Sequence, residues 1–218
     1  MKYYFDMEYI PGISLIKRIE GANLEQLKEI ACNLIEILNL IKSSSNNQKK
    51  FSFQGLVTKK LQGILVTEKD VNSRKAIAET ISLIKGEQIL NTTFCHGDLT
   101  LENIIYNEQE DSYYLIDFLD SFIDHYWQDL AKLFQDLEGQ WYVFRNKEVN
   151  KTAMEIKTEI IKDILIKRFL VEDDYMKNHA LLLSTTFCRI LPYAKEEEKE
   201  WIRGRINKSL TSTLKIVL

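Results

Sequence analysis

Three residues, Asp98, Asn103 and Asp117, have types and a spacing that could do chemistry together. The first two lie in Phe94-Cys95-His96-Gly97-Asp98-Leu99-Thr100-Leu101-Glu102-Asn103, and the third lies in Leu115-Ile116-Asp117-Phe118. An aspartate, an asparagine five positions on and another aspartate fourteen beyond that form a set of hard oxygen donors. Phosphoryl transfer needs such a set, because an acceptor hydroxyl has to be held in line and Mg²⁺ has to bridge the phosphates through oxygen ligands. Alone, His96-Gly97-Asp98 reads equally as a turn with a helix cap; the full combination is far more specific.

The elements around these residues are legible from periodicity. Apolar pieces Ile104-Ile105-Tyr106 and Tyr113-Tyr114-Leu115-Ile116 flank the polar segment Asn107 to Ser112, a strand, turn, strand pattern that sets the donors on a hairpin. Upstream, Tyr3 to Ile10 reads as a short strand closed by Pro11-Gly12. Asn23 is a candidate N-cap for a helix with apolar residues at Leu24, Leu27, Ala31, Leu34, Leu38 and Ile41. It ends in the polar loop Ser43 to Asn47, and a second helix is expected near Asp70 to Lys85. Downstream, helical patterns run near Gln128 to Val143, Lys151 to Leu170, Tyr175 to Leu191 and Glu196 to Leu214. The class expected is therefore α+β and mainly helical, with one small hairpin carrying the polar loops.

Bulk properties narrow the function classes. A chain of 218 residues with 45% apolar content can bury a core, so disorder is not the default. Its formal charge of -3 offers no broad basic surface for a phosphate backbone, which argues against nucleic acid as partner. Cys32, Cys95 and Cys188 are widely spread, without metal or redox spacing, and read as reduced thiols. With no signal-peptide pattern after Met1 and no uncharged run of membrane-spanning length, a soluble cytoplasmic protein is expected, with no membrane partner.

These motifs resemble the aminoglycoside phosphotransferase and choline kinase superfamily, relatives of protein kinases, whose catalytic loop reads H-G-D-x-x-x-x-N and whose metal motif reads I-D-F. The resemblance runs from the first residues to about Gly139, with helix-only agreement after that. It includes Tyr126-Trp127-Gln128-Asp129-Leu130-Ala131, which looks like the family's Y-D-x-A segment, and Phe5 to Gly12, which looks like the hinge strand between two lobes. It implies a hinge at residues 1–12 and a kinase-like helical C-terminal lobe over 13–218. It also implies ATP and Mg²⁺ as cofactors. Asp98 would orient the acceptor hydroxyl and take its proton, with His96 a strut of the same catalytic loop. Asn103 and Asp117 would hold the metal, and Asp129 would brace the loop. The backbone of Glu8 and Ile10 would meet the adenine, over an apolar floor of Ile105 and Ile116. Gly97 and Thr100 stand where protein kinases carry an arginine and a lysine, and a separation of twelve positions from Asp117 to Asp129 leaves little room for an activation segment. A small hydroxylated acceptor is therefore expected rather than a protein.

One part of the family pattern is missing from the sequence. Gly12 is the first glycine and no G-x-G-x-x-G occurs, so the strand-rich roof with its phosphate-covering loop and lysine is not encoded here. A shortened chain is the leading expectation, ahead of a partner chain that supplies the roof and of a lobe reused without catalysis. For the acceptor, Asp120, Asp124, Glu138 and Trp141, with Trp127 and Tyr142, are the candidate lining, suited to an amino-sugar or sugar derivative or, through a cation-π wall, to choline or ethanolamine. The competing account is that the acids form a solvated face and Trp141 belongs to the core. His125 and His179 lack a second ligand in the sequence, and Glu196-Glu197-Glu198 fits a helix start.

Overall fold

The structure is a computed structural model describing residues 9–44, 49–171 and 173–216. A two-residue strand, β1 (Ile13–Ser14), leads into α1 (Leu15–Gly21) and α2 (Leu24–Ser43). Next come β2 (Lys50–Ser52), α3 (Phe53–Thr67), α4 (Val71–Ser82), β3 (Ile89–Asn91) and the hairpin β4 (Ile104–Asn107) and β5 (Ser112–Leu115). The remainder is α5 (Tyr126–Leu137), α6 (Trp141–Arg145), α7 (Lys151–Arg168), α8 (Tyr175–Cys188), a 3-10 turn at Leu191–Tyr193 and α9 (Glu196–Ile216). The mainly helical α+β class is thus the observed one.

Local chemistry accounts for most boundaries. At α2 the Asn23 side chain accepts from Gln26 N while the Gln26 side chain accepts from Asn23 N, a reciprocal capping box. Asp70 caps α4 by accepting from Ser73 N, and Asn150 caps α7 by accepting from Ala153 N. The hairpin register pairs Ile104 with Leu115 and Asn107 with Ser112, and β1 adds antiparallel to β4 with Ile13 opposite Tyr106. Arg18 of α1 lies 3.5 Å over the Tyr106 ring and donates to the Tyr113 hydroxyl, fastening the first helix to that sheet. One apolar core runs from Leu15 to Ile206, with α2 against α7, α5 against α7 and α8, and α8 against α9.

Four expectations are corrected. Of the strand expected over Tyr3 to Ile10, residues 3–8 and with them Glu8 lie outside the described residues, and Tyr9 and Ile10 are not in a strand. Among the described residues pairing begins at Ile13, beyond Pro11, which lacks the N–H that a ladder needs. Gly12 there has φ 151°, and a Cβ on it would overlap the Tyr106 carbonyl oxygen. Secondly, α3 and the β2–β3 ribbon, with Lys50 opposite Asn91, were not anticipated. Thirdly, the helix expected over Gln128 to Val143 is two helices. Gln140 sits at φ 59°, and the buried Asp136 carboxylate accepts from Tyr142 N, restarting the chain as α6. Fourthly, Trp127 and Tyr142 belong to the core at 2% and 4% exposure rather than to a substrate wall. The Trp127 indole donates to Asp173 and stands edge-on to Phe53.

Candidate active site

Two loops meet between the sheets and α5. One runs from the end of β3 to β4 and carries His96, Asp98 and Asn103; the other runs from β5 to α5 and carries Asp117. Backbone hydrogen bonds join them: Ile116 N donates to Asn103 O at 3.1 Å and Leu119 N donates to His96 O at 2.9 Å. At the second junction Gly97 has φ 83°, and a Cβ there would overlap the Leu119 carbonyl oxygen. Only glycine lets the loops approach so closely.

The rear of the catalytic loop is held by a buried face of α5. Asp129 accepts from His96 N through one carboxylate oxygen and from Gly97 N through the other, both at 2.8 Å. Two turns along, Asp136 accepts from Leu101 N at 3.1 Å. Burial pushes both carboxyls up to about 6, outweighing the backbone donors that favour their charged forms. His96 is fully buried, its ring 4.3 Å from that of Phe118, and its Nδ1 accepts from Asp98 N at 3.3 Å. Burial lowers its pKa, which favours the neutral ring that can accept there.

At the front, Asn103 donates through Nδ2 to the Asp98 backbone oxygen at 2.9 Å and to the Asp98 carboxylate at 3.2 Å. Lys132 Nζ of α5 completes the clamp, 2.7 Å from the other Asp98 oxygen. With its amide nitrogen engaged, Asn103 has its oxygen left as an acceptor. Asp117, exposed and at φ 60°, makes no side-chain hydrogen bond or ion pair among the described residues. Two such hard oxygens fit a divalent ion that keeps several waters and takes its remaining ligands from phosphates. Ile105 and Ile116 are half-buried beside this loop pair, and Ile10 is half-buried ahead of β1.

A cavity of about 820 Å³ opens on Asp98, lined among others by Lys60 of α3, Leu119, Phe122, Lys132 and Arg189. The four acceptor candidates read from the sequence are not in its lining. Asp120 and Asp124 point to solvent. Glu138, at the far end of α5, lies 3.0 Å from His179 Nε2 in a hydrogen bond that has no signature in the local sequence. Trp141 is half-buried and packs on Phe144 and Trp201. Lys132 and Asp136 escaped the sequence reading, although Asp129, Lys132 and Asp136 fall at i, i+3 and i+7 on one helix face, and two acids on an otherwise apolar face are a usable signal.

The fold has counterparts among solved structures. A glucosamine kinase (crystal form B) matches with TM-score 0.55 at 13% identity, covering 96% of this chain and 61% of that one. A glucosamine kinase in complex with glucosamine, ADP and inorganic phosphate matches with TM-score 0.56 at 14% identity, over 94% of this chain and 59% of that one. The likeness at these identities is one of fold, and the chain spans less than two thirds of either kinase's length. No curated protein matches it. The model of the phosphotransferase enzyme family matches residues 2–151, which take in both loops and the bracing helix, and the chain belongs to that family.

Proposed function

We propose that the protein is the acceptor-binding lobe of a small-molecule kinase, acting in transfer of the γ-phosphoryl group of ATP to a hydroxyl of a sugar or sugar derivative. The observation that carries this reading is the Asp98 clamp: a carboxylate held by Asn103 and Lys132, beside the free oxygens of Asn103 and Asp117. In the reaction the acceptor oxygen bonds to the γ-phosphorus, the bond from that phosphorus to the bridging oxygen breaks, and ADP leaves. The hydroxyl proton passes to Asp98. Because the transition state is loose, orienting the hydroxyl is the larger share of what Asp98 does, and proton acceptance the smaller. Magnesium, when bound, neutralises charge on the phosphates, and Asn103 and Asp117 are the residues that would hold it. Ile105 and Ile116 are the residues that would form the apolar floor under the adenine, and the backbone of Ile10 would meet its edge.

The reading is tested by calorimetric titration with Mg-ATP of the chain and of its Asp117→Asn variant. Affinity is expected to fall at least tenfold on removing either Mg²⁺ or the Asp117 charge, as loss of a charge-assisted contact worth about 1.5–3 kcal/mol requires. Equal affinity in all arms would remove Asp117 from the metal site and the nucleotide reading with it. Should the chain bind Mg-ATP as expected, Asp98→Asn is expected to keep that affinity.

A further inference from the structure

The cavity beside Asp98 has a charge opposite to the one the sequence led us to expect of an acceptor site. Its lining carries Lys59, Lys60, Lys132 and Arg189 against the single carboxylate of Asp98, a formal surplus of three positive charges. Lys132 is spent on Asp98. Lys60 and Arg189 have no ion pair among the described residues, although both stand over the Phe122 ring, at 5.9 and 5.2 Å. Arg189 follows α8, where the helix dipole favours a cation, yet its Nη1 is buried without a hydrogen-bond partner. Burial lowers the pKa of both groups, and the Arg189 charge lowers that of Lys60 further. Two partly desolvated cations sharing one ring, with no carboxylate paired to either among the described residues, cost stability, and an anion seated between them offsets that cost.

We infer that the acceptor carries an anionic group, a phosphate or a carboxylate, which binds Lys60 and Arg189 and thereby delivers a hydroxyl of the same molecule to Asp98. The guanidinium fork matches either group through paired N–H donors, and Lys60 adds a point charge. Arg189 also feels the Asp98 charge directly, which places the anion site and the proton acceptor in one cavity. The lining includes none of Asn103, Asp117, Ile10, Ile105 or Ile116, so the surplus charge stands apart from the proposed nucleotide side. This inference rests on the kinase reading for the role of Asp98, but the anion site itself does not.

The experiment is a titration of the chain with four sugars, followed by ¹⁵N–¹H NMR at low salt: glucose 6-phosphate, glucuronate, glucose and glucosamine. One of the two anionic sugars is expected to bind at least about tenfold tighter than glucose and glucosamine, and which one does identifies the anionic group. Lys60→Gln and, separately, Arg189→Gln are expected each to erase that preference while leaving Mg-ATP affinity unchanged. Glucosamine binding as tightly as the anions, no binding of either anion, or an anion preference untouched in both variants would overturn the proposal. So would displacement of the bound anionic sugar by Mg-ATP, since the cations would then belong to the nucleotide. If the anion preference holds but Mg-ATP binding ignores Asp117, the kinase reading fails and the anion site stands without it.

Discussion

Gly97 and Asp98 are adjacent, yet the structure gives them separable tasks, one of shape and one of chemistry. Gly97 is buried at φ 83°, with the Leu119 carbonyl where a Cβ would be. Alanine there has to adopt a left-handed conformation and push two backbone segments apart, so Gly97→Ala is expected to lower stability by at least ~2 kcal/mol. Asp98 retains 26% of its side-chain exposure and its partner Lys132 retains 15%. Since such a pair contributes at most about 1 kcal/mol, Asp98→Asn should unfold in urea within about that margin of the parent protein. Urea melts of the two variants decide the matter: an alanine at 97 that costs nothing would mean the loops do not meet as described. A large loss from Asp98→Asn would make that carboxylate part of the scaffold and weaken its assignment to the reaction.

The elements that hold the loops were legible where a short stretch of backbone decides the outcome. The capping box at Asn23, the cap at Asp70 and the β4–β5 hairpin depend on neighbours in sequence, and each lies where periodicity and turn chemistry put it. Phe53, Val57, Leu61 and Ile64 form an equally regular apolar face, but Gly55 and Gly63 interrupt the pattern and hid α3. The break after α5 depends on where the Asp136 carboxylate points, and the anion-binding cavity joins Lys60, Lys132 and Arg189 from three distant stretches, so neither is written in any local window. His125 shows how one such element responds to pH. Its Nδ1 accepts from Trp127 N at the start of α5, and burial among Phe51, Tyr126 and Trp127 holds its pKa down to about 4. The nearby charges oppose each other, Asp173 raising the value and Lys42 lowering it. A histidine with a depressed folded pKa contributes stability present above its unfolded value of 6.5 and lost as pH falls towards 4. Asp129 and Asp136, raised to about 6, contribute in the opposite sense: their share is present below 3.8 and lost as pH rises through 6. Comparison with His125→Asn, which keeps a capping side chain, isolates the histidine. The stability of the parent relative to this variant should fall by about 2 kcal/mol between pH 7 and pH 5. A difference that does not change with pH would mean that His125 titrates alike in the folded and unfolded chain, as an exposed ring does.

At the scale of the molecule, a chain that spans 59–61% of the kinases whose fold it shares is informative only if it holds together alone. The described core is continuous: α2, α5, α7, α8 and α9 share buried contacts, α3 and α4 pack on α8, and no helix pair stands apart with a core of its own. The three tryptophans sample different parts of it, Trp127 between α3 and α8 and Trp141 with Trp201 between α6 and α9. Cooperative unfolding of a single core makes all probes report one transition. Tryptophan fluorescence and far-ultraviolet circular dichroism should therefore give coincident urea curves, and two separated transitions would show that the loop-bearing segment and the C-terminal helices fold independently. A coincident result has a consequence for catalysis. Ile13, Phe118 and Leu119 leave more than half of their surface exposed, at 51, 53 and 58%, and the 218 residues hold no G-x-G-x-x-G, the motif that covers phosphates with preorganised contacts. Each preorganised contact of that kind is worth about 10²–10³ in rate, so a lobe that folds as one unit and binds Mg-ATP through Asp117 should still transfer phosphate slowly. Binding and turnover are thereby expected to separate in this chain, with the site measurable by titration well before it is measurable by product.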